Sequence, residues 1–144
     1  MGVAAREVPL AVLDTNAWLD VFWFGDPQAV ACGRALRAGS LLALRSAATE
    51  LELERVLARE AFRRIPSAPL LAEWRGLSRL HEPAHPAPWA CRDRDDQKFL
   101  DLAVAAGASW LFTKDRALLK IAGRARMAGL CIAAPGALAM VETA

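Results

Sequence analysis

The stretch Val8-Pro9-Leu10-Ala11-Val12-Leu13-Asp14-Thr15-Asn16 decides how this chain folds. An apolar run from Val8 to Leu13 stops abruptly at an acid. A short, unbroken apolar run suits a strand buried on both faces, as in a parallel sheet. The same shape recurs further along, where Trp110-Leu111-Phe112 runs into Thr113-Lys114-Asp115. In open parallel sheets, ligands bind in the crevice beyond the carboxyl ends of the strands. Asp14 and Asp115 are both expected at that edge.

Working outward, Thr15 or Asn16 can cap a short helix through Trp18, Leu19 and Phe22, which Gly25-Asp26-Pro27 breaks. Gln28 to Arg37 reads as a second helix ended by Gly39, and Leu41 to Leu44 as a strand. Ser46 opens a helix with Thr49, Leu53, Val56 and Leu57 along one stripe. A helix over about Leu70 to Leu80 precedes a proline-rich loop from His81 to Pro88. Asp93 to Asp96 start a helix carrying Phe99, Leu100, Ala103 and Val104, stopped by Gly107. A helix from Arg116 to Ala128 and a strand from Leu130 to Ala133 complete the pattern. Strands alternating with helices imply an α/β fold with a parallel sheet covered on both faces.

A length of 144 residues fits one domain, and 55% apolar with 24% charged residues describes a packed chain, not a disordered one. Cys32, Cys91 and Cys131 are odd in number and form no C-x-x-C, so they read as reduced thiols. No run of about 18 apolar residues occurs, and Glu7 and Asp14 interrupt the region where an export signal needs an uncharged core. A cytoplasmic protein with no membrane partner is expected. The net charge of +2 gives no global attraction to nucleic acid, so any such footprint must be local. The absence of G-x-G-x-x-G and G-x-x-x-x-G-K-[ST] argues against dinucleotide and P-loop binding. His81, His85 and Cys91 lack the fourth ligand that a tetrahedral zinc site requires.

The acids carry the chemistry. Asp96 lies three and four residues before Phe99 and Leu100, so it extends the buried stripe of its helix towards the edge that holds Asp14 and Asp115. A glutamate from the helix over residues 46–62 can supply a fourth carboxylate. Each acid also has a plainer reading. Asp14 and Asp115 can cap helices, and Asp93, Asp95 and Asp96 suit a solvated helix start. Their coincidence at equivalent strand ends favours a site. Two like charges ~4 Å apart repel by roughly 4 kcal/mol at an effective dielectric near 20, so such a cluster needs a cation or raised pKa values. With no histidine or cysteine among them, hard Mg²⁺ or Mn²⁺ fits. The implied reaction is hydrolysis of a phosphodiester by activated water, with no protein nucleophile.

These residues also resemble a known family. Val12-Leu13-Asp14-Thr15-Asn16 is similar to the opening motif of PIN-domain nucleases. Glu52-Leu53-Glu54-Arg55-Val56-Leu57, the run from Cys91 to Leu100, and Thr113-Lys114-Asp115-Arg116-Ala117-Leu118-Leu119 follow in the expected order. The run from Cys91 to Leu100 resembles the subgroup assigned as toxin components of bacterial toxin–antitoxin pairs. The resemblance implies that residues 1–144 form a single PIN-like nuclease domain, a three-layer α/β/α sandwich around a parallel sheet. It implies Mg²⁺ or Mn²⁺ dependence, cleavage of single-stranded RNA, an antitoxin partner and a homodimer. It carries the four acids onto Asp14, Glu52, Asp96 and Asp115, with Asp14, Asp96 and Asp115 holding metal and Asn16 and Thr113 supporting them. Helical phase does not separate Glu50 from Glu52, which flank the Leu53 stripe at similar angles. The Glu52 assignment rests on the E-L-x-x-V-L match.

Arg92, Arg94, Lys98, Lys114 and Arg116 crowd the acidic elements and read either as helix surface or as contacts to RNA phosphates. Among the five tryptophans, Trp23 and Trp89 fall in expected loops, and Trp18 and Trp23 are bulky enough to narrow an entrance. Two other functions compete. A non-catalytic PIN-like module binding RNA or protein would not need all four acids. A phospho-acceptor receiver domain wants paired acids after its first strand, where this chain has Asp14 alone.

Overall fold

In the computed structural model, which describes residues 8–142, the apolar run before Asp14 becomes β1 (Leu10–Leu13) at the middle of a five-stranded sheet. Glu7, the charge that speaks against an export signal, lies outside the described residues. After β1 come α1 (Thr15–Leu19), α2 (Val30–Ala38), β2 (Leu42–Arg45), α3 (Ala47–Leu57), α4 (Ser67–Leu77) and β3 (Ser78–Leu80). The second half adds α5 (Gln97–Ala105), β4 (Trp110–Phe112), α6 (Arg116–Leu119), α7 (Ala122–Met127), β5 (Cys131–Ala133) and α8 (Ala137–Glu142). The strands are parallel throughout and lie in the order β3-β2-β1-β4-β5.

The sheet is buried on both faces because its side chains alternate between two cores. Ala11, Leu13, Ala43 and Phe112 face a layer built from α1 to α4, with Leu19, Leu53 and Trp74. Val12, Leu44, Leu111 and Ile132 face the layer of α5 to α7, with Phe99, Leu100 and Leu118. This is the three-layer α/β/α sandwich expected for a PIN-like chain. The chain runs outward from β1 through β2 to β3, then returns to lay β4 on the other side of β1. That reversal opens a crevice between the carboxyl ends of β1 and β4.

Local signals explain most boundaries. Ser46 and Thr49 form a reciprocal capping box at the start of α3, and Thr49, Leu53, Val56 and Leu57 are buried as one stripe. Gly39 ends α2 at φ 78, a left-handed conformation that glycine adopts without strain. Some boundaries differ from the sequence reading. The first strand starts at Leu10, leaving Val8 and Pro9 exposed. Asp14, not Thr15 or Asn16, caps α1, because it is the last extended residue before the turn. The helix expected through Phe22 does continue past α1, but as a π-helical stretch over Asp20–Phe24, closed by Gly25. Ser78–Leu80 form an edge strand where a helix was expected, since Leu77 and Leu80 share a helical spacing and three residues show no alternation. The Ser78 hydroxyl donates to the Trp74 carbonyl (2.6 Å) as the chain turns extended, and Arg45 donates to the Ser78 carbonyl (2.5 Å). The helix expected over residues 116–128 is two, α6 and α7. Trp18 packs edge-on to Trp74 (6.3 Å between ring centroids) inside the core and so narrows no entrance, whereas Trp23 is exposed.

Burial predicts which leucines matter. Leu100 on α5 is fully buried (0%) and Leu51 on α3 is 47% exposed. Leu100→Ala is expected to cost about 2–5 kcal/mol and Leu51→Ala less than about 0.5 kcal/mol, read from urea denaturation. Similar losses at both positions would contradict the layer assignment.

Candidate active site

The register of two strands brings the first acids together. Leu13 of β1 lies opposite Phe112 of β4, and the Asp14 amide donates to the Phe112 carbonyl (3.1 Å). The next residues, Asp14 and Thr113, therefore meet at the strand ends. Thr113 is completely buried, and its hydroxyl donates to Asp14 Oδ2 (2.5 Å) while accepting from the Asp115 amide (2.9 Å). One hydroxyl thus ties both strand-end acids. Each acid also caps the helix that follows it. Asp14 Oδ1 accepts from the Ala17 amide and Asp115 Oδ1 from the Ala117 amide, both at 2.8 Å. Capping and clustering coincide here, so the plainer reading of these acids is correct without removing the other.

The third acid arrives on the turn Arg94–Asp96 that leads into α5. Carboxylate oxygens of Asp93, Asp96 and Asp115 lie within 4.8 Å of one another. Asp96 Oδ2 is buried with no hydrogen-bond partner. A buried acceptor left unsatisfied is costly. It marks where a cation would be held, and an all-oxygen donor set suits Mg²⁺ or Mn²⁺. Burial, and then the charges of Asp115 and Asp93, push the Asp96 carboxyl up to about 7. Asp14, 5% exposed, is pushed up to about 6 chiefly by burial, against the hydrogen bonds from Thr113 and Ala17. The charges of Asp115 and Glu52 add to the rise, so Glu52 belongs to the same electrostatic neighbourhood.

The tertiary structure separates the two glutamates that helical phase could not. Glu52 on α3 accepts hydrogen bonds from the Thr15 hydroxyl and from Lys98 (2.7 Å). Glu50 turns the other way, to Arg45 (3.6 Å) and Arg75 (3.3 Å). Asn16 is exposed, and it is Thr15 that reaches Glu52. Neither Thr15 nor Asp93 was singled out as a site residue by sequence. Thr15 stood inside the opening motif, and Asp93 looked like an ordinary member of an acidic helix start. The five basic residues divide into two sets. Lys114 pairs with Asp20 (3.0 Å) and Asp26, and Lys98 with Glu52. Arg92, Arg94 and Arg116 are exposed and, among the described residues, make no ion pair.

The geometry defines a class: a three-layer α/β/α protein with a carboxylate cluster at the switch point of its parallel sheet. The PIN domain pattern matches residues 10–117, and the chain belongs to the PIN domain family. No curated protein sequence matches it significantly. Among solved structures, the crystal structure of VapBC2 from Rickettsia felis bound to a DNA fragment from their promoter is similar in fold. It shares 14% identity at a TM-score of 0.58, over 85% of this chain and 96% of that one.

The raised carboxyls predict how stability depends on pH. Without metal, Asp14 and Asp96 hold protons more tightly in the folded than in the unfolded chain, whose reference value is 3.8. Their contribution is unimpaired below about pH 4 and is lost as pH rises through about 6 for Asp14 and about 7 for Asp96. Stability in EDTA should therefore fall between about pH 4 and pH 7 and level off above that. Asp96→Asn should flatten that fall and be more stable at pH 8 by roughly 1 kcal/mol, allowing for solvent screening. Parallel wild-type and mutant curves in urea denaturation would show that Asp96 carries no such conflict.

Proposed function

We propose that this protein is a Mg²⁺- or Mn²⁺-dependent endoribonuclease that hydrolyses phosphodiester bonds of single-stranded RNA. The observation that carries the reading is the convergence of Asp93, Asp96 and Asp115, with an unsatisfied buried oxygen on Asp96, in a PIN-domain chain. PIN domains are generally nucleases. Asp96 and Asp115, with the converging Asp93, would hold the ion, and Asp14, tied to the same edge through Thr113 although outside the converging set, would complete its donors. When bound, the ion supplies a Lewis acid that activates water and offsets charge on the phosphate.

The chain's own residues set the rest of the chemistry. Thr113 orients Asp14 and, through the Asp115 amide, the turn that carries Asp115. Thr15 fixes Glu52 at the edge of the cluster. The exposed Arg92, Arg94 and Arg116 are free to meet phosphates on either side of the cut, offsetting the repulsion between an acidic centre and a polyanion. By its likeness in fold to the VapBC2 structure, we propose a role as the toxin of a toxin–antitoxin pair, acting in the cytoplasm as a homodimer restrained by an antitoxin. No helix among the described residues is long and apolar enough to cross a membrane.

Two measurements test the reading. Labelled single-stranded RNA should be cut with Mn²⁺, and Asp14→Asn and Asp96→Asn should each lose roughly 10²-fold or more in rate. Glu50→Gln, outside the cluster, should keep its activity, with stability changed by less than about 1 kcal/mol. Separately, Mn²⁺ at a hundredfold excess over its dissociation constant should stabilise the wild type by about 2.7 kcal/mol, and Asp96→Asn much less. Wild-type cleavage by Asp96→Asn would end the assignment. An identical metal-induced rise in melting temperature would place the metal elsewhere.

A further inference from the structure

The acids of the cluster differ in what faces them. Asp14 accepts only from a hydroxyl and an amide, both neutral, so its charge stays uncompensated. Asp96 has an oxygen with no partner at all. Glu52 is different. Its Oε2 accepts from the Thr15 hydroxyl, and its Oε1 lies 2.7 Å from the Lys98 ammonium. Both side chains are largely covered, at 24% exposure for Lys98 and 21% for Glu52. An ammonium in that place compensates the Glu52 charge and repels a divalent ion from the same oxygens. Glu52, like Asp14, lies outside the set of oxygens that converge within 4.8 Å, but unlike Asp14 it faces a cation, and that contact sets it apart.

Lys98 is placed to do more than neutralise Glu52. Among the described residues Glu52 is its one ion-pair partner, and the residue stands on the first turn of α5, two positions after Asp96. It also lines a cavity of about 320 Å³ shared with Ser46, His85 and Asp101. Two acids share that lining and both are committed elsewhere: Glu82 accepts from the Ala47 amide (2.6 Å), and Asp101 from the Ala87 amide (2.8 Å) and the Gln97 side chain (2.9 Å). Lys98 is therefore a cation reachable from the cavity, held beside the acidic cluster by a carboxylate that α1 anchors through Thr15.

We propose that Glu52 is a positioning residue and not a metal ligand, and that it holds the Lys98 ammonium where a phosphate of the bound RNA strand meets it. The proposal rests on the hydrolase reading and assigns two of its residues. A phosphate neighbouring the cut would lie against Lys98 on the cavity side, while the phosphate being cut lies over the Asp96 cluster. Loss of the Glu52 charge would leave Lys98 free to bind phosphate, but out of place for turnover.

The test has two arms. Calorimetric titration with Mn²⁺ compares wild type, Glu52→Gln and Asp96→Asn. Glu52→Gln should keep a Kd within about threefold of wild type, whereas Asp96→Asn should weaken it by about tenfold or more. Fluorescence anisotropy with a labelled single-stranded RNA 12-mer, in EDTA, compares wild type with Lys98→Met, Lys98→Arg and Glu52→Gln. Lys98→Met should weaken binding about tenfold at low salt and reduce the salt slope by about 0.7, the value of one phosphate contact on a single strand. Lys98→Arg should restore both, and Glu52→Gln should bind as tightly as wild type or more tightly while its kcat falls. Mn²⁺ binding lost from Glu52→Gln as fully as from Asp96→Asn would overturn the proposal, as would unchanged RNA binding by Lys98→Met. Failure of the hydrolase reading would show in the wild type itself, as absent cleavage. Failure of the proposal shows only in the comparison of variants.

Discussion

Everything at the acidic edge depends on the parallel pairing of β1 with β4. Because Leu13 faces Phe112, the first residues beyond the two strands are forced into contact. The Thr113 hydroxyl fills that contact, donating to Asp14 and accepting from the Asp115 amide. A one-residue slip in register would put Leu13 and Phe112 in opposite layers and at the same time separate Asp14 from Thr113. Core packing thus enforces the geometry of the site, since Leu13 and Phe112 are both buried in the same hydrophobic layer.

The acids are kept in place against their mutual repulsion by work they do for the backbone. Asp14 and Asp115 satisfy amides at the starts of α1 and α6, groups that a helix leaves unpaired. Asp93 does the same for the Asp95 amide (2.9 Å). Asp96 has no such employment, and its buried oxygen stays unsatisfied. The conflict between burial and charge is shared by Asp14 and Asp96, but Asp14 is eased by two hydrogen bonds, so a cation would relieve the most at Asp96.

Charge is distributed to match. With a net charge of +2, the chain exerts little long-range pull on a polyanion. Its local pattern is more informative. Lys114 is engaged by Asp20 and Asp26, and Lys98 by Glu52, while Arg92, Arg94 and Arg116 remain exposed around the cluster. Under the proposed function the paired lysines are held in position and the free arginines adapt to the strand.

Sequence by itself determined the layer order and the strand-end acids, because an apolar run ending in a charge is a local pattern with one sensible burial. Val12-Leu13-Asp14 and Leu111-Phe112 could be placed from their neighbours alone, and the stripe of Thr49, Leu53, Val56 and Leu57 likewise. The short edge strand Ser78–Leu80 could not, since its pairing with β2 is the only thing that makes it extended. Glu50 and Glu52 were equivalent until helix α3 was packed beside α1 and α5. Only then did Thr15 and Lys98 meet one glutamate, and Arg45 and Arg75 the other. The convergence of Asp93 with Asp115 belongs to the same kind of fact. Side chains far apart in sequence meet through the docking of whole elements, and no local period records that distance.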